Sequence, residues 1–366
     1  MARSKRRARR DTGAHDEPMF DEADLEWCGD TLIYVAGRTE AGFAYGVAVA
    51  DLRRDQERQA RGAGWARAKR VLRELFEREV GAVHDIGQVK KIGDGLSRDI
   101  FAAEVGLADG RCDTYVVALP RPGAEAALDE RTSRELRLMA RLRGRRFPFR
   151  VPEMIGAFPD GDRLALVRRF AAGIELDLRA GRQPSIRPWA IVGEVAAAIH
   201  AVPGSDVVDI LPGAATWRAH ALDEMAAFAG LDPGEMKDAH AWALAHLPPA
   251  EPSTLLHGDL LGQNILLAIH GPNHVIDWEY ARRGDPAYDL AIVTRGVKQP
   301  FQIANGLERL LDAYRARGGR DITANQVHLY ELCLIARWYR AALSGHGAHP
   351  PAHELGLMRS LLRRLP

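Results

Sequence analysis

Cysteine, lysine and long apolar runs are all scarce in this chain of 366 residues, and each scarcity removes a class of protein. The three cysteines, Cys28, Cys112 and Cys333, lie far apart and form no CxxC pair, which argues against both a zinc site and a disulfide framework. A reduced, cytoplasmic setting is the expectation that follows. No run of about 18 uninterrupted apolar residues occurs, so no membrane-spanning helix is expected. The N-terminal stretch also lacks the apolar segment a signal peptide requires. There is no G-x-x-x-x-G-K-[ST], which excludes a P-loop nucleotide site, and no repeat at a fixed period. Net charge is only +1, leaving no global electrostatic case for nucleic acid or an acidic membrane. The local exception is "ARSKRRARR" at residues 2–10, with six basic side chains in nine positions. It is expected to be a solvated, disordered tail (residues 1–20), or else a contact with RNA or another anionic surface. Lysines number six in the whole chain, so one missing from an expected place matters.

What is present describes an ordinary globular protein: 46% hydrophobic and 27% charged residues, in a chain long enough for two lobes and an appendage. "DTLIYVAGRTEAGFAYGVAVA" (30–50) gives two β-rich runs around a polar turn and reads as a hairpin. The charged stretch 51–82 that follows reads as a helix, with Val71, Leu72, Leu75 and Phe76 at helical spacing. Together, residues 21–82 look like an added module. From 83 to 172 short strands dominate, interrupted by one helix over 127–143. In "DTYVVALP" the alternation of Tyr115, Val117 and Leu119 predicts a half-buried strand. Residues 173–366 read as mainly helical, and "PWAIVGEVAAAIHAVPG" (188–204) carries proline at both expected helix boundaries. The expected fold is therefore α+β: a small antiparallel-sheet lobe with one helix, joined to a larger helical lobe.

Within the second lobe, "LLHGDLLGQNIL" (255–266) sets a carboxylate, Asp259, and an amide, Asn264, among aliphatic side chains. A lone carboxylate in an apolar run is costly to bury unless something pairs with it. The spacing is His257-x-Asp259-x4-Asn264, with Asp277 of "HVIDWEY" thirteen residues beyond. Both halves are short apolar runs with polar residues at one end, as in a hairpin whose tips project into a cleft. Phosphoryl transfer needs such a set. One carboxylate accepts or orients the attacking hydroxyl, here Asp259, while an amide oxygen and a second carboxylate, Asn264 and Asp277, hold Mg²⁺ against nucleotide phosphates. The competing reading makes all three simple turn caps.

These stretches resemble the aminoglycoside phosphotransferase family, relatives of the protein kinases that include macrolide and choline kinases. "LHGDLLGQNIL" is similar to that family's catalytic loop, with Gly258 where protein kinases carry arginine, and "VIDWEYARRGDPAYDLA" (275–291) to its metal loop and succeeding helix. The resemblance spans about residues 85–340. It implies a protein-kinase-like two-lobe fold, ATP or GTP as co-substrate with Mg²⁺, and an alcohol on a small molecule as acceptor. Antibiotic-type acceptors fit it, with antibiotic resistance as the biological role. A monomer or homodimer is expected, without a membrane partner. His257, Asp285 and Asp289 would support the site structurally, and His200 in "AAAIHAVPG" would pack beside the catalytic loop.

The resemblance also makes the sheet lobe a nucleotide clamp. "IGDGLSRDIF" (92–101) is similar to the glycine turn that covers phosphates, with Gly93, Gly95, Ser97 and Arg98, and the chain at Arg169, Phe170 and Ala171 would pass the adenine. One departure stands out. Relatives carry a phosphate-neutralising lysine or arginine on the strand matching "YVVALP", and the register here puts Ala118 there, while Glu135 has the spacing of that cation's acidic partner. Arg98 or Lys91 is the expected substitute. That gap also leaves open a kinase-like binding protein with little or no turnover. For the acceptor, Asp223, Glu224, Glu331 and Trp338 are the candidate pocket residues, and the basic, apolar stretch "MRSLLRRLP" would disfavour a strongly cationic substrate if it lines that pocket.

Overall fold

The computed structural model describes residues 25–28, 31–38, 44–94, 97–178, 186–295 and 305–365. The basic tail and Gly95 of the expected glycine turn lie outside them. By its internal contacts the chain divides after Arg67. In the first unit, β1 (Leu25–Cys28), β2 (Thr31–Arg38) and β3 (Ala44–Ala48) form an antiparallel meander, and α1 (Val49–Glu79) begins. The last three turns of α1, from Ala68 onward, belong to the second unit. The expected boundary at 82/83 lies beyond this division by the end of α1 and the turn that follows it.

The second unit opens with a six-stranded antiparallel sheet: β4 (Val83–Ile86), β5 (Lys90–Asp94), β6 (Arg98–Leu107), β7 (Cys112–Pro120), β8 (Met154–Asp160) and β9 (Arg163–Arg169). The strand order is β4-β6-β7-β9-β8, with β5 also pairing β6. Between β7 and β8 runs α2 (Ala127–Leu142), which has Asp129 and Glu130 in its first turn and Arg141 in its last, charges that suit the helix dipole. Its buried face is Leu128, Thr132, Glu135, Leu138, Met139 and Leu142, and Leu136 sits only at the edge.

Residues 115–120 of β7 are all buried, not alternately so as their pattern predicts. The reason is that both faces of the sheet are covered. Tyr115, Val117 and Leu119 pack with Val71, Leu72, Leu75 and Phe76 of α1 in one apolar cluster. The opposite face, carrying Val116, Ala118 and Pro120, looks toward α2 and the second lobe. Local sequence could not reveal that the helix before the sheet would lie across it.

The larger lobe is mainly helical: α3 (Pro188–His200), α4 (Trp217–Met225), α5 (Gly234–Ala245), α6 (Ala287–Arg295), α7 (Gly306–Ala316), α8 (Ala324–Leu343) and α9 (Pro351–Leu362). Pro188 starts α3 at a position where its missing N–H costs nothing, and Thr323 with Gln326 forms a capping box for α8. Short strands join the helices: β10 (Ile174–Glu175), β11 (Thr254–Leu256), β12 (Ile265–Leu267), β13 (His274–Val275) and β14 (Arg282–Gly284). The motif is thus not one hairpin arm. β11 pairs β14, whereas β12 pairs β10 and β13, and Asp259 lies on the loop between the two small sheets. Among the described residues no helix is long and apolar enough to cross a membrane.

Candidate active site

The aliphatic residues of the motif anchor its loop. Leu255, Leu256, Leu260 and Ile265 are fully buried in the core of the helical lobe, which leaves the polar positions between them to be held by hydrogen bonds. Asp289 on α6 does most of this: its carboxylate accepts from the backbone N–H groups of His257 at 2.7 Å and Gly258 at 2.9 Å. Behind Asp289, His200 Nε2 lies 3.1 Å from the same carboxylate, and His200 Nδ1 lies 3.1 Å from the Tyr314 hydroxyl. Burial pushes the Asp289 carboxyl up, but the His200 hydrogen bond and the nearby histidines outweigh it and hold the group below its ordinary value.

His257 is itself fully buried against Trp278, with ring centres 4.6 Å apart. Its Nδ1 accepts from the Asp259 N–H at 3.3 Å, which fixes Nε2 as the atom that donates to the Ile276 carbonyl at 3.0 Å. One imidazole therefore ties the loop bearing Asp259 to the strand leading to Asp277. Gly258 has φ +79°, and a Cβ there would meet the Tyr280 carbonyl oxygen at 2.1 Å. No larger residue fits, which explains the glycine in a place where protein kinases have arginine.

Asn264 donates through Nδ2 to the Asp259 backbone carbonyl at 2.8 Å and to its carboxylate at 3.0 Å. The Ile276 N–H donates to the Asn264 carbonyl at 2.9 Å, so Asp277 is held one residue from that contact. Asp277 is exposed and adopts φ +67°, a left-handed conformation that aspartate tolerates better than most residues. Burial raises the half-buried Asp259 carboxyl above its usual range, and Asp277 adds to this while His257 and Asn264 oppose it. Among the described residues no three His, Cys, Asp or Glu side chains converge as a metal cage. One amide and one carboxylate are the sparse set that magnesium uses when phosphates complete its shell.

Asp285 is fully buried too, accepting from the Ala287 N–H at 2.9 Å and the Tyr330 hydroxyl at 3.1 Å. Among the described residues no cation acts on it, and burial pushes its carboxyl up to about 7.

Across the cleft, Glu135 is buried and pushed up to about 7, first by burial and then by the charge of Asp277, while Arg98 and Arg168 pull it down. Arg98 is buried, donates to Thr132 Oγ1, and lies 3.8 Å from Glu279 Oε2. A Cβ at Gly93 would meet only Ile100, at 3.8 Å, so the protein alone does not demand glycine there. The carbonyl of Ser97 accepts from the Arg121 N–H at 3.0 Å. Lys91 behaves differently from Arg98. It pairs with Asp99 at 3.0 Å, and Asp99 stands opposite Leu119, on the α1 face of the sheet rather than the cleft face. Arg169 points outward to Asp113 at 2.5 Å and Glu153 at 3.4 Å, beside exposed Phe170 and buried Ala171. Its neighbour Arg168 takes the cleft side. Alternation in "LALVRRF" was the available signal, since only one of two adjacent strand arginines can face inward. Glu279 and Arg131, 4.0 Å apart, also went unforeseen.

The carboxylates expected in an acceptor pocket are largely paired. Glu224 lies between Arg282, at 2.9 Å, and Arg337, and Glu331 meets Arg295 at 3.1 Å and His328 at 2.8 Å. Asp223 is exposed, and Trp338 packs partly against the main core. A cavity of about 540 Å³ lies away from all of these, between α2 and β8, with Phe147, Phe149 and Arg143 in its wall.

The family model of the phosphotransferase enzyme family matches residues 88–324, which contain the sheet lobe, both motif loops and α6. The chain belongs to the phosphotransferase enzyme family. No curated protein sequence matches it. Solved phosphotransferases share its fold. The macrolide 2'-phosphotransferase MphH from Brachybacterium faecium is 23% identical, with a TM-score of 0.54 over 81% of this chain and 98% of that one. The GDP and kanamycin complex of APH(2")-IIia is 15% identical, with a TM-score of 0.61 over 81% of this chain and 98% of that one. A choline/ethanolamine kinase family protein from Mesorhizobium loti is 20% identical, with a TM-score of 0.51 over 76% and 89%. The fold is thus the protein-kinase-like two-lobe α+β architecture, and small-molecule phosphotransfer is the activity class of the family.

Proposed function

We propose that the protein moves the γ-phosphoryl group of ATP or GTP to a hydroxyl of a small molecule bound beside Asp259. The observation that carries this reading is the joint anchoring of Asp259, Asn264 and Asp277 through His257 and Asp289. Asp259, with its carboxyl raised, accepts the hydroxyl proton and aims its oxygen, and the Asn264 amide holds that carboxylate in place. With Nδ2 committed to Asp259, Asn264 offers Oδ1, and Asp277 its exposed carboxylate, as magnesium ligands. Magnesium bound there would offset the charge of the transferred group. Gly93, Gly95 and Ser97 would cover the phosphates, and the backbone near Phe170 and Ala171 would face the base.

The pairing of Glu224 and Glu331 supports a neutral or weakly charged acceptor, such as a macrolide-type antibiotic or a related metabolite, over a polycation like the kanamycin held by one solved relative. Ala118 is the one observation that favours a nucleotide-binding protein with little turnover. A panel of macrolides, aminoglycosides, sugars and amino alcohols, with Mg²⁺ and ATP or GTP, separates the two. Phosphorylation of some member is expected, and Asp259→Ala should lose about a hundredfold or more of that rate. Equal rates in the two proteins would remove Asp259 from the chemistry.

A further inference from the structure

Ala118 puts no charge on the cleft face of β7, and the strands on either side of it each bring an arginine to that face. In β6 the partner of Ala118 is Ile100, and in β9 it is Leu166. Arg98 lies two residues from Ile100, opposite Pro120, and Arg168 two residues from Leu166, opposite Val116. Positions two apart share a face, and diagonal neighbours across strands lie within reach of long side chains. Both guanidinium groups therefore flank position 118 on the cleft face, one at either end.

Their surroundings show what each lacks. Arg98 Nε is buried with no hydrogen-bond partner, and so are Glu279 Oε2 and Arg131 Nε beside it. The Arg98–Glu279 contact, at 3.8 Å, is too long for a hydrogen bond. The guanidinium of half-buried Arg168 makes no hydrogen bond or close ion pair with any described residue, and the charges of Glu135 and Asp277 act on it. Arg98 and Arg131 thus share Glu279, while the charges of Glu135 and Asp277 act on Arg168. Buried polar groups without protein partners need water, an ion or a ligand to meet them.

We infer that Arg98 and Arg168 together replace the cation missing at position 118, with Arg98 meeting the nucleotide phosphates and Arg168 facing Glu135. The inference rests on the phosphotransferase reading above. A single lysine on β7 would serve both phosphate and glutamate. Here the two duties fall to separate strands, and the glycine turn that precedes Arg98 carries the phosphate-facing one. Glu279 holds Arg98 loosely until phosphate oxygens take its place.

The test measures binding of ADP and GDP with Mg²⁺, and of adenosine and guanosine, by calorimetry. Wild-type protein is compared with Arg98→Ala, Arg168→Ala, the double variant, and the double variant carrying Ala118→Lys. Arg98→Ala should weaken diphosphate binding roughly ten- to hundredfold, the size of one lost charge-assisted hydrogen bond, with nucleoside binding unchanged. Arg168→Ala should weaken it less, the double variant most, and Ala118→Lys should recover at least about tenfold of the double variant's loss. Diphosphate binding as tight in the double variant as in wild type overturns the inference alone. So does a loss shared equally by nucleosides, or one that Ala118→Lys leaves untouched, since each points to packing instead of charge. Wild-type protein that binds neither ADP nor GDP removes the phosphotransferase reading itself.

Discussion

On the helical side of the cleft, the Asp289 carboxylate collects two backbone N–H groups and a histidine, and the chain of contacts runs on to Tyr314 without an unmet partner. Where the sheet lobe meets the metal loop, Arg98 Nε and Arg131 Nε from the sheet lobe and Glu279 Oε2 from the loop are buried with no hydrogen bond at all. The Asp289 network is complete within the protein, and the arginine cluster that meets the sheet lobe is not. A catalytic loop gains from such completeness, because the groups that act on the reacting atoms must be held to a fraction of an ångström. A phosphate clamp gains from the opposite, since its cations would otherwise be satisfied by the protein and compete with the nucleotide. The same logic separates the aspartates of α6 and its approach. Asp289 has histidines and N–H groups and is held low, whereas Asp285 has only an N–H and a hydroxyl and is pushed up to about 7.

The strongest way to break this comparison is to cut the finished wall. Asp289→Ala removes a buried charge and strands His200 and two backbone N–H groups, so it should cost about 3 to 5 kcal/mol in denaturant unfolding. Glu279→Gln, in the arginine cluster, should cost far less, because an oxygen of this carboxylate already lacks a hydrogen bond. Equal losses from both substitutions would erase the distinction. A second test sharpens it through pH. The folded Asp285 carboxyl keeps its proton up to about 7, while the unfolded one ionises near its ordinary value of 3.8. Its favourable contribution is therefore present below pH 4 and lost as pH rises toward 7. Asp285→Asn does not titrate. Its stability relative to wild type should rise by about 2 to 4 kcal/mol between pH 4 and 7.5, read from denaturation at each pH. A constant difference would mean that Asp285 is ionised in the folded protein.

What was legible in the sequence follows the same division. The finished wall is contiguous in the chain: His257, Asp259 and Asn264 fall within eight residues, and Asp277, Asp285 and Asp289 within thirteen, so spacing pointed to Asp259, Asn264 and Asp277, and the family resemblance added Asp285 and Asp289. The relay behind them was not legible, because His200 and Tyr314 lie 114 positions apart and each reads as an ordinary core residue. The open wall depends on which face of a strand a side chain takes. That parity is readable for β9 in principle: Arg168 faces the cleft and Arg169 faces away, while the expectation for 169–171 concerns the backbone that would pass the base. Lys91 shows the same difficulty, since its strand position opposes Phe101, a residue of the α1-side core. The two-lobe outline was readable from periodicity and breakers. The packing of α1 across the sheet was not, because it joins segments whose patterns are complete without each other.

The most direct measurement is manganese binding, followed by electron paramagnetic resonance as a stand-in for magnesium, with and without ADP or GDP. Wild-type protein should hold the ion tightly only when the nucleotide is present, and Asp277→Asn or Asn264→Ala should each abolish that tight class while nucleoside binding persists. Nucleotide-dependent binding that is undiminished in both variants would contradict the claim that these two side chains share one cation beside Asp259.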